Sequence, residues 1–126
     1  DLPRPALLLP VPMATRRLRQ RGYNQAAMLA EWIGAQLAIP CDTRLLLRLR
    51  DTPAQQELDA RARKRNLKDA FAVSHPEHLD GLHVALVDDV LTTGATAQAL
   101  ARLLRDNGAK RVDVYCLART PRPGGA

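Results

Sequence analysis

Two hydrophobic periods share this chain, one suited to strands and one to helices, and their order predicts an α/β protein. Ala6 to Val11 is a short apolar run containing Pro10, as expected of a buried strand. A basic stretch, residues 13–22, reads as a loop. Asn24 is then placed to cap a helix reaching about Leu37. Leu29, Ile33 and Leu37 recur every four residues on one face, and Trp32 broadens the stripe. Leu45 to Arg50 alternates weakly, as a strand would. Residues 51–57 are polar with a proline and read as loop, Leu58 to Asp69 is charged and helix-compatible, and Ala70 to Val73 is a short strand.

The sharpest pattern follows. His83 to Val87 is a β-rich run after the Asp80-Gly81 turn, residues 92–96 form a Thr/Gly loop, and Ala97 to Asn107 is a helix. Leu100, Leu103 and Leu104 line one face of that helix, and Gly108 is placed to end it. Val112 to Leu117 is a further apolar strand. Strand, loop, helix and strand in this order require a βαβ crossover and a parallel sheet. No internal repeat is present. The tail at 120–126, rich in Pro and Gly, is expected to be disordered, leaving residues 1–119 as one domain.

Composition narrows the function classes. Aromatic residues make up only 3 % of the 126 residues against 46 % hydrophobic, so the core must be built from Leu, Val and Ala. No apolar run approaches the roughly 20 residues that span a bilayer, so no membrane insertion and a cytoplasmic location are expected. A start at Asp1 reads as a piece of a longer protein. Cys41 and Cys116 lie far apart, and with His75, His78 and His83 they form no zinc-ligand spacing. No metal site of Cys and His is expected, and His75 and His78 read as an exposed turn. The net charge of +6 sits entirely in the first half: residues 1–70 hold 13 Lys/Arg against 7 Asp/Glu, whereas residues 71–126 hold six of each. Arginines cluster at Arg16 to Arg21 and Arg61 to Arg65, which suits either a phosphate-bearing ligand or a solvated basic face.

The candidate chemistry lies in VALVDDVLTTGAT, Val84 to Thr96. An apolar strand delivers two adjacent acids, Asp88 and Asp89, at its carboxyl end, where open α/β sheets bind ligands. Thr92, Thr93, Gly94, Ala95 and Thr96 then form a loop entering a helix, where backbone N–H groups, hydroxyls and the helix dipole favour a phosphate. Gly94 gives the backbone room to approach it, and the carboxylates are near enough to hold ribose hydroxyls. A sugar phosphate satisfies both halves. The loop has no lysine for a P-loop and only one glycine, too few for a dinucleotide fingerprint.

These thirteen residues resemble the binding signature for 5-phosphoribosyl 1-pyrophosphate (PRPP) of type I phosphoribosyltransferases. Upstream blocks are similar to the ComF/GntX family: Arg21-Gly22-Tyr23-Asn24-Gln25, Thr52-Pro53-Ala54-Gln55, Arg63 to Asn66 through Phe71, and the closing Leu117-Ala118-Arg119. The resemblance covers about Val11 to Arg119. It implies a type I phosphoribosyltransferase-like fold, a twisted, mainly parallel sheet flanked by helices. Members of that family commonly carry a Cys-rich zinc-binding segment, which this sequence does not contain.

The resemblance also implies roles. A nucleophile would attack C1 of PRPP, with Mg²⁺ held mostly by PRPP oxygens and water, and pyrophosphate would leave. Asp88 and Asp89 would hold the ribose hydroxyls, with Val87, Val90 and Leu91 framing them and Thr92 to Thr96 binding the 5-phosphate. Arg16, Arg19 and Arg21 are candidates to stabilise the departing pyrophosphate, and Thr52 and Gln55 resemble a mobile hood. Asn24 and Gln25 read equally as a helix cap and an exposed residue or as ligand contacts, and Tyr23 reads as a packing anchor. The expected partners are PRPP or ribose 5-phosphate, with single-stranded DNA, competence machinery and a second copy of the chain as further candidates. A non-catalytic PRPP or nucleotide sensor, or an accessory of DNA uptake, remains the alternative to an enzyme.

Overall fold

The computed structural model of the chain describes residues 3–13, 15–49, 69–91 and 94–119. The polar loop expected at 51–57, most of the charged helix expected from Leu58 and the tail at 120–126 lie outside the described residues.

Three strands form a parallel sheet in the order β1–β4–β5: β1 (Leu7–Pro10), β4 (His83–Leu91) and β5 (Arg111–Arg119). Between β1 and β4 in sequence come α1 (Thr15–Arg21), α2 (Gln25–Leu37), β2 (Leu46–Arg48) and β3 (Phe71–Val73). Helix α3 (Ala95–Asp106) joins β4 to β5. The parallel sheet that the strand–helix–strand pattern requires is therefore present. β2 and β3 pair antiparallel as a separate two-stranded sheet. On the far side of β1 an extended segment adds a parallel bridge, with Leu8 N–H donating to Pro40 O at 2.9 Å and Asp42 N–H to Leu8 O at 3.0 Å.

The central strand explains the apolar run. Val84, Ala85, Leu86 and Val87 are all fully buried, because a parallel strand flanked by helices on both faces has no polar side. Alternation sorts them. Val84 and Leu86 join Leu9, Leu100 and Leu104 under α3 and the β2–β3 pair, while Ala85 and Val87 join Leu8, Ala30 and Ile39 under α2.

Helix α2 corrects one expectation. Its buried residues are Ala26, Ala30 and Gly34, whereas Leu29 and Ile33 pack at the margin, Leu37 is largely exposed and Trp32 is 63 % exposed. The reason is proximity: small side chains let the helix backbone lie close to β1 and β4. A Cβ on Gly34 would stand only 2.6 Å from the Ile39 carbonyl oxygen. Met28 and Trp32 consequently sit on the outer face.

Three boundaries also differ. The basic stretch expected as a loop is helical over Thr15–Arg21, because its Arg, Leu and Gln residues are good helix formers and nothing breaks the run before Gly22. β4 continues four residues past Val87 through ladder pairing with β5, and α3 begins at Ala95 rather than Ala97. Among the described residues no helix is long and apolar enough to cross a membrane.

Candidate functional site

At the carboxyl edge of the sheet the ends of β1 and β4 lie side by side. β1 ends at Pro10 opposite Val87, and Val11 N–H donates to Val87 O at 2.9 Å. Farther along the chain comes the basic helix α1. Beyond Val87, β4 is paired only with β5 among the described residues, with Asp88 opposite Cys116 and Val90 opposite Ala118.

Asp88 and Asp89 are half-buried on this two-stranded extension. The Asp88 carboxylate turns along the backbone, and its Oδ1 accepts from the Asp89 amide at 2.9 Å. Burial first, then hydrogen bonding to the Asp89 carboxyl and its charge, push the Asp88 acid up to about 6, while the Asp89 amide pulls the other way. A carboxyl at that value can hold or release a proton near neutrality, which an ordinary surface aspartate cannot.

Gly94 stands at the N-cap of α3 with φ of +82°, a left-handed conformation that a residue with a side chain resists. Gly94 itself has no side chain with which to cap the helix, and no acidic residue sits in its first turn. Among the described residues, a Cβ on Gly94 would meet nothing within 4 Å. Ala95 and Thr96, expected in the loop, form the first turn of α3 and are partly exposed. An electropositive helix terminus thus follows two carboxylates within a few residues, a combination suited to a ligand carrying both hydroxyls and phosphate.

The remaining predicted residues fall as follows. Val87 is fully buried under α2 and belongs to the core rather than to the site surface. Val90 and Leu91 carry the end of β4. Arg16 lies on α1, while Arg19 and Arg21 are in its last turn and exposed. Arg21 donates through Nη1 to Gln25 Oε1 at 2.6 Å, which occupies both residues with each other. Thr92, Thr93, Thr52 and Gln55 lie outside the described residues. Asn24 serves as a cap: its Oδ1 accepts from Ala27 N–H at 3.2 Å and its Nδ2 donates to Val11 O at 3.3 Å. It thereby fastens the chain leaving β1 to the start of α2. Tyr23, expected as a packing anchor, is 47 % exposed because it follows the left-handed Gly22 at the surface between two helices.

Two neighbours of the site were not legible in the sequence. Cys116 faces Asp88 across the ladder and is exposed, and Tyr115, opposite Val87, packs against the α2-side cluster. Only the parallel register identifies them, and register has no local sequence signature.

Comparison with known proteins bears on the family and the fold. The family model described as "Phosphoribosyl transferase domain" matches residues 25–125. The chain is 44 % identical over 119 residues to the DNA utilization protein YhgH of Salmonella typhi, covering 94 % of this chain and 52 % of that protein. It is 42 % identical over 117 residues to competence protein F of Haemophilus influenzae, covering 91 % and 51 %. The chain thus spans about half the length of the curated relatives it matches. Among solved structures, glutamine PRPP amidotransferase from B. subtilis, complexed with ADP and GMP, aligns with a TM-score of 0.62 at 18 % identity, over 94 % of this chain and 23 % of that one. A purine phosphoribosyltransferase from Pyrococcus horikoshii aligns at 0.57 and 20 %, over 93 % and 63 %. These two likenesses bear on the fold alone. The match across most of its length places this chain in the phosphoribosyl transferase domain family.

Proposed function

We propose that the carboxyl edge of the sheet binds PRPP and that the chain transfers its phosphoribosyl group to an acceptor with release of pyrophosphate. The observation that carries this reading is the half-buried Asp88–Asp89 pair a few residues ahead of the glycine-capped N-terminus of α3. The helix terminus and the Thr92 to Thr96 segment take the 5-phosphate, and the carboxylates take the ribose hydroxyls. In the transfer, the bond from C1 to the pyrophosphate oxygen breaks with its electron pair leaving on pyrophosphate. The acceptor's lone pair forms the new bond to C1, and its proton passes to a nearby base. Asp88, pushed up to about 6 beside the Asp89 carboxyl, is suited to exchange such a proton near neutral pH. The exposed Arg19, with Arg16 on the same helix, is available for the departing pyrophosphate.

The oxygen-rich character of the pair fits Mg²⁺, which keeps its waters and binds mainly through ligand phosphates, with Asp88 and Asp89 as the protein carboxylates at hand. When bound, the ion would neutralise charge on the pyrophosphate.

Calorimetric titration with PRPP and Mg²⁺ tests the reading. Micromolar binding that disappears in a folded Asp88→Asn/Asp89→Asn variant is the expected result. Unchanged affinity in that variant would remove the acid pair from the site.

A second reading has its own support. The relatives are named for DNA utilization and competence, and the first 70 residues carry the whole net positive charge. On this reading the fold senses a phosphoribosyl ligand and assists DNA uptake without catalysis. PRPP binding without pyrophosphate release on any offered acceptor, together with salt-sensitive binding of single-stranded DNA, is its expected signature.

A further inference from the structure

A second cluster of chemically capable side chains lies at the opposite end of the sheet. The turn between β3 and β4 is a short 3-10 helix, Pro76–His78, that presents His75, Glu77 and His78 together on the surface. One ligand atom from each lies within 4.8 Å of the others. His75 Nδ1 and Glu77 Oε1 are 3.3 Å apart, about the separation that two donors at ~2.0–2.1 Å from one tetrahedral ion subtend. The two imidazoles are stacked, with ring centroids 5.0 Å apart and planes 23° from parallel.

The turn that carries them is firmly built. Pro76 fixes the first helical position, His78 N–H donates to His75 O at 3.0 Å and Leu79 N–H to Pro76 O at 3.0 Å. Leu79 is fully buried and anchors the turn in the core beneath α3. Gly81 N–H donates to Gly108 O at 2.9 Å, tying the following residues to the end of α3. The backbone is therefore ordered before any ion arrives, and only exposed side chains need turn inward by an ångström or so. Binding then incurs little ordering cost.

We propose that His75, Glu77 and His78 form a surface site for a divalent transition metal of the Zn²⁺ class. Two imidazoles and one carboxylate suit zinc and its neighbours and do not suit Mg²⁺ or Ca²⁺, which prefer all-oxygen shells. Three protein donors leave a position for water or for a donor from another molecule. The site is separate from the Asp88–Asp89 pair. His83, which follows the turn, stands five residues before Asp88 along β4, roughly 16 Å of strand.

The reading from sequence weighed only Cys and His as ligands. The three histidines alone have no ligand spacing, and Glu77 completes the set only once the 3-10 turn brings His75 and His78 to the same side.

The test is titration with Zn²⁺ alone, followed by calorimetry and by the imidazole resonances of the three histidines. It uses a Cys41→Ser/Cys116→Ser background, so that thiols do not compete. One site is expected, with His75 and His78 resonances moving and that of His83 unchanged. Affinity should fall at least ~10-fold in His75→Ala and in His78→Ala, and Glu77→Gln should weaken it as well. Asp88→Asn should leave it unchanged, and Mg²⁺ should not compete. Circular dichroism checks that each surface variant is folded. Zinc affinity unchanged in the His75→Ala/His78→Ala variant, or resonances of His75 and His78 that do not respond, would overturn the proposal.

Discussion

The Asp89 amide donates to the Asp88 carboxylate at 2.9 Å, so the acid that burial makes hard to ionise is partly relieved by its own neighbour's backbone. The relief is incomplete, and Asp88 remains raised from 3.8 to about 6. Below the unfolded value both folded and unfolded chains are protonated there and no penalty exists. Between roughly pH 4 and 6 the unfolded chain releases the proton first, so stability falls as pH rises. Above that window the folded chain carries the full cost of a half-buried charge. Asp88→Asn should therefore be more stable than the parent chain at pH 7.5, with the difference shrinking toward zero near pH 4. Urea denaturation across that range measures it, and a pH-independent difference would contradict the account.

At the amino end of the same strand, His83 Nε2 lies 2.7 Å from Asp113 Oδ2, and Arg111 Nε donates to the other oxygen at 3.1 Å. Burial raises Asp113, but hydrogen bonds from His83 and then Arg111, with their charges, outweigh it and hold the acid below its usual range. This contribution is present above the unfolded value and is lost as pH falls through the lower folded one. Asp113→Asn should cost about 1 kcal/mol at neutral pH and leave PRPP affinity unaltered, because the change lies at the other end of β4. Thermal melts paired with ligand titration check both halves.

Gly34→Val should be among the most damaging single changes outside the site. The new Cβ would stand 2.6 Å from the Ile39 carbonyl oxygen, a backbone atom that cannot swing aside. That carbonyl belongs to the segment alongside β1. Overpacking of this kind costs on the order of 1–3 kcal/mol. A melting temperature within a degree of the parent would mean that α2 is not held as close as described.

The two cysteines should react at very different rates with a thiol reagent. Burial, followed by the charges of Glu31 and Asp42, pushes the Cys41 thiol up to about 11, leaving almost no thiolate at pH 7.5. Cys116 is exposed on β5. Mass spectrometry after brief alkylation should find Cys116 modified and Cys41 largely intact. The reverse order would show that the edge of the sheet beside Asp88 is covered.

Asn24→Ala should cost about 1 kcal/mol through loss of the α2 cap. It should also weaken PRPP binding several-fold, because the same side chain holds Val11, where the chain turns from β1 toward α1. A stability loss without any change in affinity would separate the cap from the site.

The residues themselves show why sequence disclosed some of this and not the rest. The run Val84 to Val87 reads as a strand buried on both faces, which is what forms, and Ala97 onward reads as the amphipathic helix that follows it. What failed was inference from size. Leu29, Ile33 and Trp32 were the large apolar residues of α2, yet Ala26, Ala30 and Gly34 lie against the sheet, because the spacing between helix and sheet is a tertiary quantity. The run from Thr15 to Arg21 looked like a loop for its charge, although arginine is a good helix former. Cys116 became a neighbour of Asp88 only through register. Glu77 joined two histidines only through a turn.

The unequal lengths of the strands carry one more implication. β1 stops opposite Val87, while β4 and β5 run on together to Leu91 and Arg119. Among the described residues, Asp88 and Asp89 thus ride on a cantilever two strands wide, projecting from a root that is clamped on both sides. Narrow ribbons twist more readily than wide sheets. The projecting ribbon is therefore freer to twist than the root behind it. Amide exchange should record the division as a sharp drop in protection just past Val87.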